Sequence, residues 1–152
     1  MTTIRLITKI NAPIHTVFDL NRDIDVHKLS TAKSKETAID GRTSGLINLN
    51  ETVTWKGKHF GFYIKHQSKI TDMEIPNYFV DEMINGRFKY FRHEHTFVEK
   101  DGKTVMIDNI EYETPFGIFG SIFDKLVLKN YLTSFIQERN RFIKTTLENE
   151  NY

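Results

Sequence analysis

The period of the apolar residues changes once along this chain, at Pro115-Phe-Gly117. Before this point apolar residues alternate with polar ones, as in strands with one buried face. After it, from Ile118 to about Leu147, they recur at helical spacing, which predicts one amphipathic helix of about 30 residues. Its apolar stripe is expected to pack in the core. The stripe consists of Phe119, Ile122, Phe123, Leu126, Leu128, Leu132, Phe135, Ile136, Phe142 and Ile143.

A run of strands that ends in one helix is typical of an α+β fold rather than an alternating parallel sheet. Asn11-Ala-Pro13 is a helix-start signal, and Ile14, Val17 and Phe18 then share one helical face, so a short helix follows the first strand. Asp23 to Ser30 predicts a second short helix. The predicted strands are Thr3 to Asn11, Thr37 to Asp40, Asn48 to Lys56, His59 to Thr71, Asn77 to Ile84, Phe88 to Glu99 and Lys103 to Thr114, with hairpin turns at Lys56-Gly57-Lys58 and Asn85-Gly86.

Only the final helix is long enough to cover one face of such a sheet. We therefore expect a curved antiparallel sheet of six to seven strands around this helix, in a single domain of residues 1–152, with some space left between sheet and helix.

Composition excludes several classes of protein. The chain has 21 Lys+Arg against 20 Asp+Glu, a balance that argues against a nucleic-acid-binding protein. It has no cysteine, so disulfides, thiolate metal sites and cysteine nucleophiles are excluded. No stretch reaches the ~18 apolar residues of a membrane span, and the first residues do not resemble a secretory signal. We expect a cytoplasmic protein without stable membrane insertion; the oligomeric state is left open.

The segment FRHEHTFVEKDGKTVMID, residues 91–108, holds the most informative polar residues. If Asp101-Gly102 forms a two-residue turn, His95 lies opposite Asp108 on the adjacent strand. The inner face then carries Phe91, His93, His95 and Phe97 against Tyr112, Ile110, Asp108 and Met106. A three-residue loop would instead place the histidines opposite Val105, Ile107 and Asn109. The two-residue turn is favoured because it leaves Glu111 and Glu113 facing water.

The preceding hairpin repeats this chemistry, because Phe60, Phe62, Ile64 and His66 alternate onto one face. A large apolar surface with a few polar groups is typical of a small-molecule pocket. Arg139, on the apolar stripe of the helix, is a candidate anchor for an acidic ligand group. The predicted ligand-binding residues are Phe60, Phe62, Ile64, His66, Phe91, His93, His95, Phe97, Met106, Asp108, Ile110, Tyr112 and Arg139.

Three interpretations of His93 and His95 remain open. Two histidines on one strand face can bind a metal ion, with Asp108 or His66 completing the ligands. Alternatively, His95 held in one tautomer by Asp108 can transfer protons, which makes His95, Asp108 and His93 the candidate catalytic residues. The favoured interpretation is polar residues satisfied in a mostly apolar interior. No metal and no cofactor are predicted.

Several segments carry a resemblance to a known superfamily. They are INAPIHTVFDL, ETVTWKGKHFGF, ITDMEIPNYFVDEMINGRFKYFRHEHTF, DNIEYETPFGIFG and the terminal FIQERNRF. Together they resemble the START-like, helix-grip (SRPBCC) superfamily of birch-pollen allergens, lipid-transfer domains and polyketide cyclases. Within it the chain is most similar to the bacterial ligand-binding or cyclase/dehydrase-like group.

The resemblance implies a hydrophobic cavity between sheet and helix, and no fixed catalytic set. The favoured function is binding of a hydrophobic, amphipathic or lipid-like small molecule. One alternative is a cofactor-independent cyclase or dehydratase that uses the His/Asp pair. The other is a regulatory interaction module, for which a small or filled cavity and an exposed apolar patch are expected.

Overall fold

A computed structural model describes residues 1–149 and shows the predicted α+β architecture. Two short helices follow the first strand, and a long helix follows the last strand. The elements are β1 (Thr2–Ile10), α1 (Ile14–Asn21), α2 (Ile24–Ser30), a 3-10 turn (Ala32–Ser34), β2 (Thr37–Gly41), β3 (Thr52–His59), β4 (Phe62–Glu74), β5 (Tyr78–Asn85), β6 (Tyr90–Lys100), β7 (Lys103–Glu113), α3 (Gly117–Phe123), a π-helical segment (Asp124–Leu128) and α4 (Lys129–Asn149).

The seven strands form one antiparallel sheet in the order β1-β7-β6-β5-β4-β3-β2. The strands from β2 to β7 follow one another as neighbours, whereas β1 pairs with β7. The two short helices therefore carry the chain from one edge of the sheet to the other. They pack beside α4 on the same face, which makes this the covered face and confirms the helix-grip arrangement.

The β6–β7 hairpin has the predicted register. Lys100 pairs with Lys103, and His95 lies opposite Asp108. Asp101 and Gly102 both have positive φ, 54° and 75°, as a two-residue hairpin turn requires. His93, His95 and Asp108 consequently share the buried face.

The β3–β4 turn is not at the predicted place. Phe60 and Gly61 make the turn, with φ of 53° and 82°, and Gly57 lies within β3. The prediction of a Lys56-Gly57-Lys58 turn is therefore wrong, and so is the assignment of His59 to a returning strand. Gly57 is needed for another reason: a Cβ there would lie 2.7 Å from Glu36 Oε1. The glycine lets the Glu36 side chain approach the strand closely.

The final helix is continuous from Gly117 to Asn149, but only its later part packs as predicted. Ile136, Ile143 and Leu147 are buried against the sheet and α1. The earlier part of the stripe, which was expected in the core, is exposed: Phe119 by 78%, Ile122 by 50%, Phe123 by 44% and Leu126 by 70%.

The π-helical segment separates these two parts of the helix. One additional residue per turn changes which side chains face the sheet, so Asp124 becomes buried while Leu126 turns outward. Asp124 accepts hydrogen bonds from the hydroxyls of Tyr112 on β7 and Thr2 on β1, which fixes the segment to the end of the sheet. Within residues 1–149, no helix has the length and apolar character needed to cross a membrane.

Candidate functional site

A cavity of about 870 Å³ separates the concave face of the sheet from the helices. Its walls are mainly apolar and include Ile24, Val53, Phe79, Leu128 and Ile136. At one end the lining consists of exposed aromatic residues, Phe60, Phe116, Phe119 and Phe123, so the cavity opens to solvent there. The volume lies in the range of small-molecule sites, about 300–1,000 Å³.

Most of the residues predicted to bind a ligand line this cavity. Phe60, Ile64, His66, Phe91, His93, His95, Ile110 and Arg139 all contribute to its wall. Arg139 does not form a salt bridge with a described residue. Its guanidinium donates to Oδ1 of Asn21 at 3.2 Å and to the backbone carbonyl of Asn21 at 2.8 Å, which ties α4 to the end of α1.

The remaining predicted residues do not line this cavity, for identifiable reasons. Phe62 has the inward strand parity but stands at the tip of the β3–β4 hairpin, where 73% of it is exposed. Phe97 and Met106 are buried in the core cluster that also contains Val17 and Phe18 of α1. Tyr112 is packed away with its hydroxyl bonded to Asp124, and Asp108 lies behind the histidines.

His93 and His95 form a stacked histidine pair, with ring centroids 3.7 Å apart. His93 Nε2 donates to Asp108 Oδ1 at 2.7 Å, and His95 Nε2 donates to Asp81 Oδ2 at 2.8 Å. His95 Nδ1 also lies 3.4 Å from Asp108 Oδ1, but this contact is an ion pair rather than a hydrogen bond. The predicted facing of His95 and Asp108 is confirmed, but Asp108 accepts its hydrogen bond from His93 rather than from His95.

The two imidazoles of this pair differ in charge. Burial lowers the pKa of His93, and the adjacent His95 lowers it further, so His93 is neutral near neutral pH. Burial also opposes a charge on His95, but Asp108 and Asp81 outweigh it and raise the pKa of His95. Burial raises the pKa of both carboxyls, yet the histidines hold the pKa of Asp108 well below its ordinary value and that of Asp81 at about 2.

Asp81 lines the cavity beside this pair and was not among the predicted site residues. Asn140, on α4, donates from Nδ2 to Asp108 Oδ2 at 2.7 Å. Asp108 thus accepts on one oxygen from a strand and on the other from the helix. This network connects the sheet with α4 and satisfies both Asp108 oxygens, whereas His95 Nδ1 and Asn140 Oδ1 are buried without a hydrogen-bond partner among the described residues.

A second polar cluster, absent from the sequence prediction, lies elsewhere on the cavity wall. Glu36 Oε1 accepts from His59 Nε2 at 2.9 Å, and His59 Nδ1 lies 2.6 Å from the Tyr131 hydroxyl. Glu36, His59 and Tyr131, here called the tyrosine relay, all line the cavity. Burial raises the pKa of Glu36, but hydrogen bonds from His27 and His59 outweigh burial and lower it to about 2.

One group of side chains has the composition of a metal site. Ligand atoms of Asp81, His93 and His95 lie within 4.8 Å of one another. The stacked rings, however, are inclined by only 24°, so their in-plane nitrogen lone pairs run nearly parallel and do not converge on one ion. Both Nε2 atoms are also occupied by carboxylates. The geometry therefore suits a hydrogen-bonding cluster better than a metal site.

Comparisons with known proteins agree with this architecture. The family described as "Polyketide cyclase / dehydrase and lipid transport" matches residues 10–135. A search of curated proteins finds no significant match.

Solved structures show the same fold at low sequence identity. Protein Ms6760 from Mycobacterium smegmatis is 17% identical, with a TM-score of 0.73, over 98% of this chain and 92% of its own. The ginseng major latex-like protein 151 from Panax ginseng is 14% identical, with a TM-score of 0.68, over 95% of this chain and 97% of its own. The Zhui aromatase/cyclase from Streptomyces sp. R1128 is 9% identical, with a TM-score of 0.68, over 95% of both chains. The family match spans most of the chain and the helix-grip fold is shared, so the chain belongs to the polyketide cyclase/dehydrase and lipid transport family of the SRPBCC superfamily.

Proposed function

We propose that this protein binds a hydrophobic or amphipathic small molecule in the cavity between the sheet and the final helix. The observation that carries the proposal is the cavity itself, with a volume of about 870 Å³ and a mainly apolar wall. A domain of 152 residues that only needed stability would fill such a space with side chains, because interiors pack densely. A cavity of this size also disfavours the regulatory interaction module, for which a filled pocket is expected.

Two further observations support an amphipathic ligand rather than a purely apolar one. The stacked histidine pair and Asp81 present polar groups at one wall, and the tyrosine relay presents a hydroxyl at another. Pockets of this kind use a few polar groups to fix the orientation of a mainly apolar ligand. A cytoplasmic location stays a prediction of the sequence.

The binding test uses the neutral fluorescent probe N-phenyl-1-naphthylamine. The folded protein should bind the probe. Ile64→Trp should weaken this binding about tenfold, because the larger side chain displaces the probe from the cavity wall. Tenfold corresponds to about 1.4 kcal/mol, or roughly 55 Å² of apolar contact at ~25 cal/mol per Å². Phe62→Ala is the matched control, because Phe62 is exposed outside the cavity and should leave affinity unchanged. Absence of probe binding to the folded protein contradicts the proposal.

An enzyme that abstracts a proton next to a carbonyl is the second candidate function. It is favoured by the dyad in which Asp108 holds the neutral His93 at the cavity wall, because a carboxylate on one ring nitrogen orients the other as a base. The structural neighbour described as an aromatase/cyclase is a further reason to test this second function.

Hydrogen–deuterium exchange of 2-tetralone in D₂O tests the second candidate without knowledge of the substrate. A base in the cavity should speed exchange of the α-protons above the buffer rate. His93→Gln should return exchange to that rate while retaining probe binding. Exchange that is no faster with the wild-type protein than in buffer leaves only the binding function.

A further inference from the structure

We propose that the cavity selects apolar ligands that carry hydroxyl groups. Two residues, His93 and Tyr131, accept the hydrogen bonds that these hydroxyls donate. This inference rests on the proposed binding function and specifies its ligand class. It follows from the direction of each hydrogen bond in the two polar clusters.

At the stacked histidine pair, the ionised carboxylate of Asp108 can only accept hydrogen bonds. Because His93 Nε2 lies 2.7 Å from Asp108 Oδ1, this nitrogen carries the proton. In the neutral imidazole the other nitrogen, Nδ1, is then an acceptor with a free lone pair. His93 lines the cavity, and its Nδ1 has no hydrogen bond to any residue in the described range 1–149. A ligand hydroxyl is the group that satisfies it.

At the tyrosine relay the same rule operates through one additional residue. Glu36 is an ionised acceptor, so His59 Nε2 carries the proton and donates at 2.9 Å. If His59 carries only this proton, its Nδ1 accepts the Tyr131 hydroxyl proton at 2.6 Å. The only hydroxyl proton of Tyr131 is then used in this hydrogen bond to His59. Toward the cavity the Tyr131 oxygen offers lone pairs, which again require a donor.

The tyrosine relay is built into the fold and is not a chance contact of surface side chains. The Glu36 side chain is only 8% exposed, and that of His59 18%. A Cβ at residue 57 would lie 2.7 Å from Glu36 Oε1 and 3.0 Å from His59 Nε2, so glycine at that position makes room for the hydrogen bond. The tyrosine relay connects three separate elements: the segment before β2, the end of β3 and α4.

Asp81 strengthens the same preference. Its Oδ2 accepts from His95, while its side chain remains 21% exposed at the cavity wall. A carboxylate never donates when it is ionised. His93 Nδ1, the Tyr131 oxygen and the Asp81 carboxylate are thus all acceptors, and ligands with methyl ethers in place of hydroxyls leave them unsatisfied.

The test compares 2,6-dihydroxynaphthalene with 2,6-dimethoxynaphthalene by isothermal titration calorimetry. The affinity ratio of the two compounds should favour the dihydroxy compound, although the dimethoxy compound is the more apolar. In Tyr131→Phe this ratio should fall roughly fivefold, the effect of losing one ligand hydrogen bond. His93→Gln should lower it as well. Tyr63→Phe is the matched control: Tyr63 is an exposed tyrosine outside the cavity wall and should leave the ratio unchanged.

A measurement on the wild-type protein covers the case in which the variants fail to fold. The ¹⁵N resonance of the unprotonated His93 Nδ1 should shift when the dihydroxy compound binds and stay in place with the dimethoxy compound. Equal ratios in wild type, Tyr131→Phe and His93→Gln, or an unmoved Nδ1 resonance, overturn the hydroxyl preference while leaving the binding function intact. Failure of both compounds and of the apolar probe to bind overturns the binding function itself.

Discussion

Replacing Asp108 with asparagine removes one of the two negative charges that hold a proton on His95. Asp108 is fully buried, and its Oδ1 lies 3.4 Å from His95 Nδ1 and 2.7 Å from His93 Nε2. At an effective dielectric constant of ~20, the attraction across 3.4 Å is about 5 kcal/mol, an upper limit because Asp81 remains. Breaking a buried ion pair by removing one partner costs about 3–5 kcal/mol, so we expect a loss in this range.

The size of this loss depends on pH with a definite sign. The pKa of His95 is raised in the folded protein, because Asp108 and Asp81 outweigh burial. The stability that this proton contributes is fully present below the unfolded pKa and is lost as pH rises through the folded pKa. The pKa of Asp108 is lowered, so its own contribution is lost only as pH falls below its ordinary value of 3.8. The destabilisation should therefore be largest at about pH 5–6 and smaller above the folded pKa of His95.

Urea denaturation between pH 4.5 and 8.5 measures the free energy of unfolding, and NMR titration of the imidazole signals follows His95 directly. In Asp108→Asn the His95 titration should move to lower pH. Glu111→Gln is the matched control, since Glu111 is on the same strand but faces the opposite side and should change stability by no more than about 0.5 kcal/mol. An unchanged His95 titration in Asp108→Asn refutes the assignment of charge within the cluster.

Three further predictions concern other parts of the site. Treatment with EDTA should leave the thermal midpoint unchanged, because the stacked histidine pair is expected to bind no metal; stoichiometric zinc, iron or nickel by elemental analysis contradicts this. Gly57→Ala should destabilise the protein by about 1–3 kcal/mol, measured by urea denaturation, because its Cβ would lie 2.7 Å from Glu36 Oε1; wild-type stability would show that the strand accommodates the methyl group. Asp124→Ala should cost about 1–3 kcal/mol in the same assay because it leaves the buried Tyr112 hydroxyl without its acceptor, and an unchanged midpoint contradicts this role.

The sheet and the β6–β7 hairpin could be predicted because both depend on local chemistry. Alternation of side chains fixes which residues share a face, and Asp101-Gly102 accepts the positive φ that a two-residue turn requires. Once this turn is placed, every pair along the hairpin follows, including His95 opposite Asp108.

The β3–β4 turn could not be predicted in the same way. Phe60 adopts a positive φ, which is uncommon for a bulky side chain, whereas the nearby Lys56-Gly57-Lys58 has the composition of a turn. A turn at Lys56-Gly57-Lys58 assigns His59 to the following strand instead of β3, so the sequence does not predict the tyrosine relay. Strand parity counted from a turn at Phe60-Gly61 would have placed His59 on the inner face with Trp55 and Val53.

Strand register determines which residues lie opposite each other on a shared face. It does not determine which of their side chains form hydrogen bonds. Asp108 lies opposite His95, yet it bonds to His93, its diagonal neighbour, because side chains reach across 7–8 Å diagonals as well as direct pairs. Likewise, helical periodicity predicts that Phe119 and Leu126 share the apolar stripe of the final helix. It does not reveal that this part of the helix extends beside the cavity opening, where both are exposed.

In the stacked histidine pair His95 is charged and His93 is neutral, and this difference has a consequence for the ligand. Two charged rings 3.7 Å apart would repel each other strongly, so only one of them holds a proton, and the two carboxylates place it on His95. His95 and Arg139 then balance the charges of Asp81 and Asp108, so these four groups together have no net charge. An uncharged ligand can therefore lose its water against these groups without facing an unbalanced ion. The acceptors that this cluster offers are His93 Nδ1 and the Asp81 carboxylate, which is why it suits a hydroxyl donor better than a carboxylate.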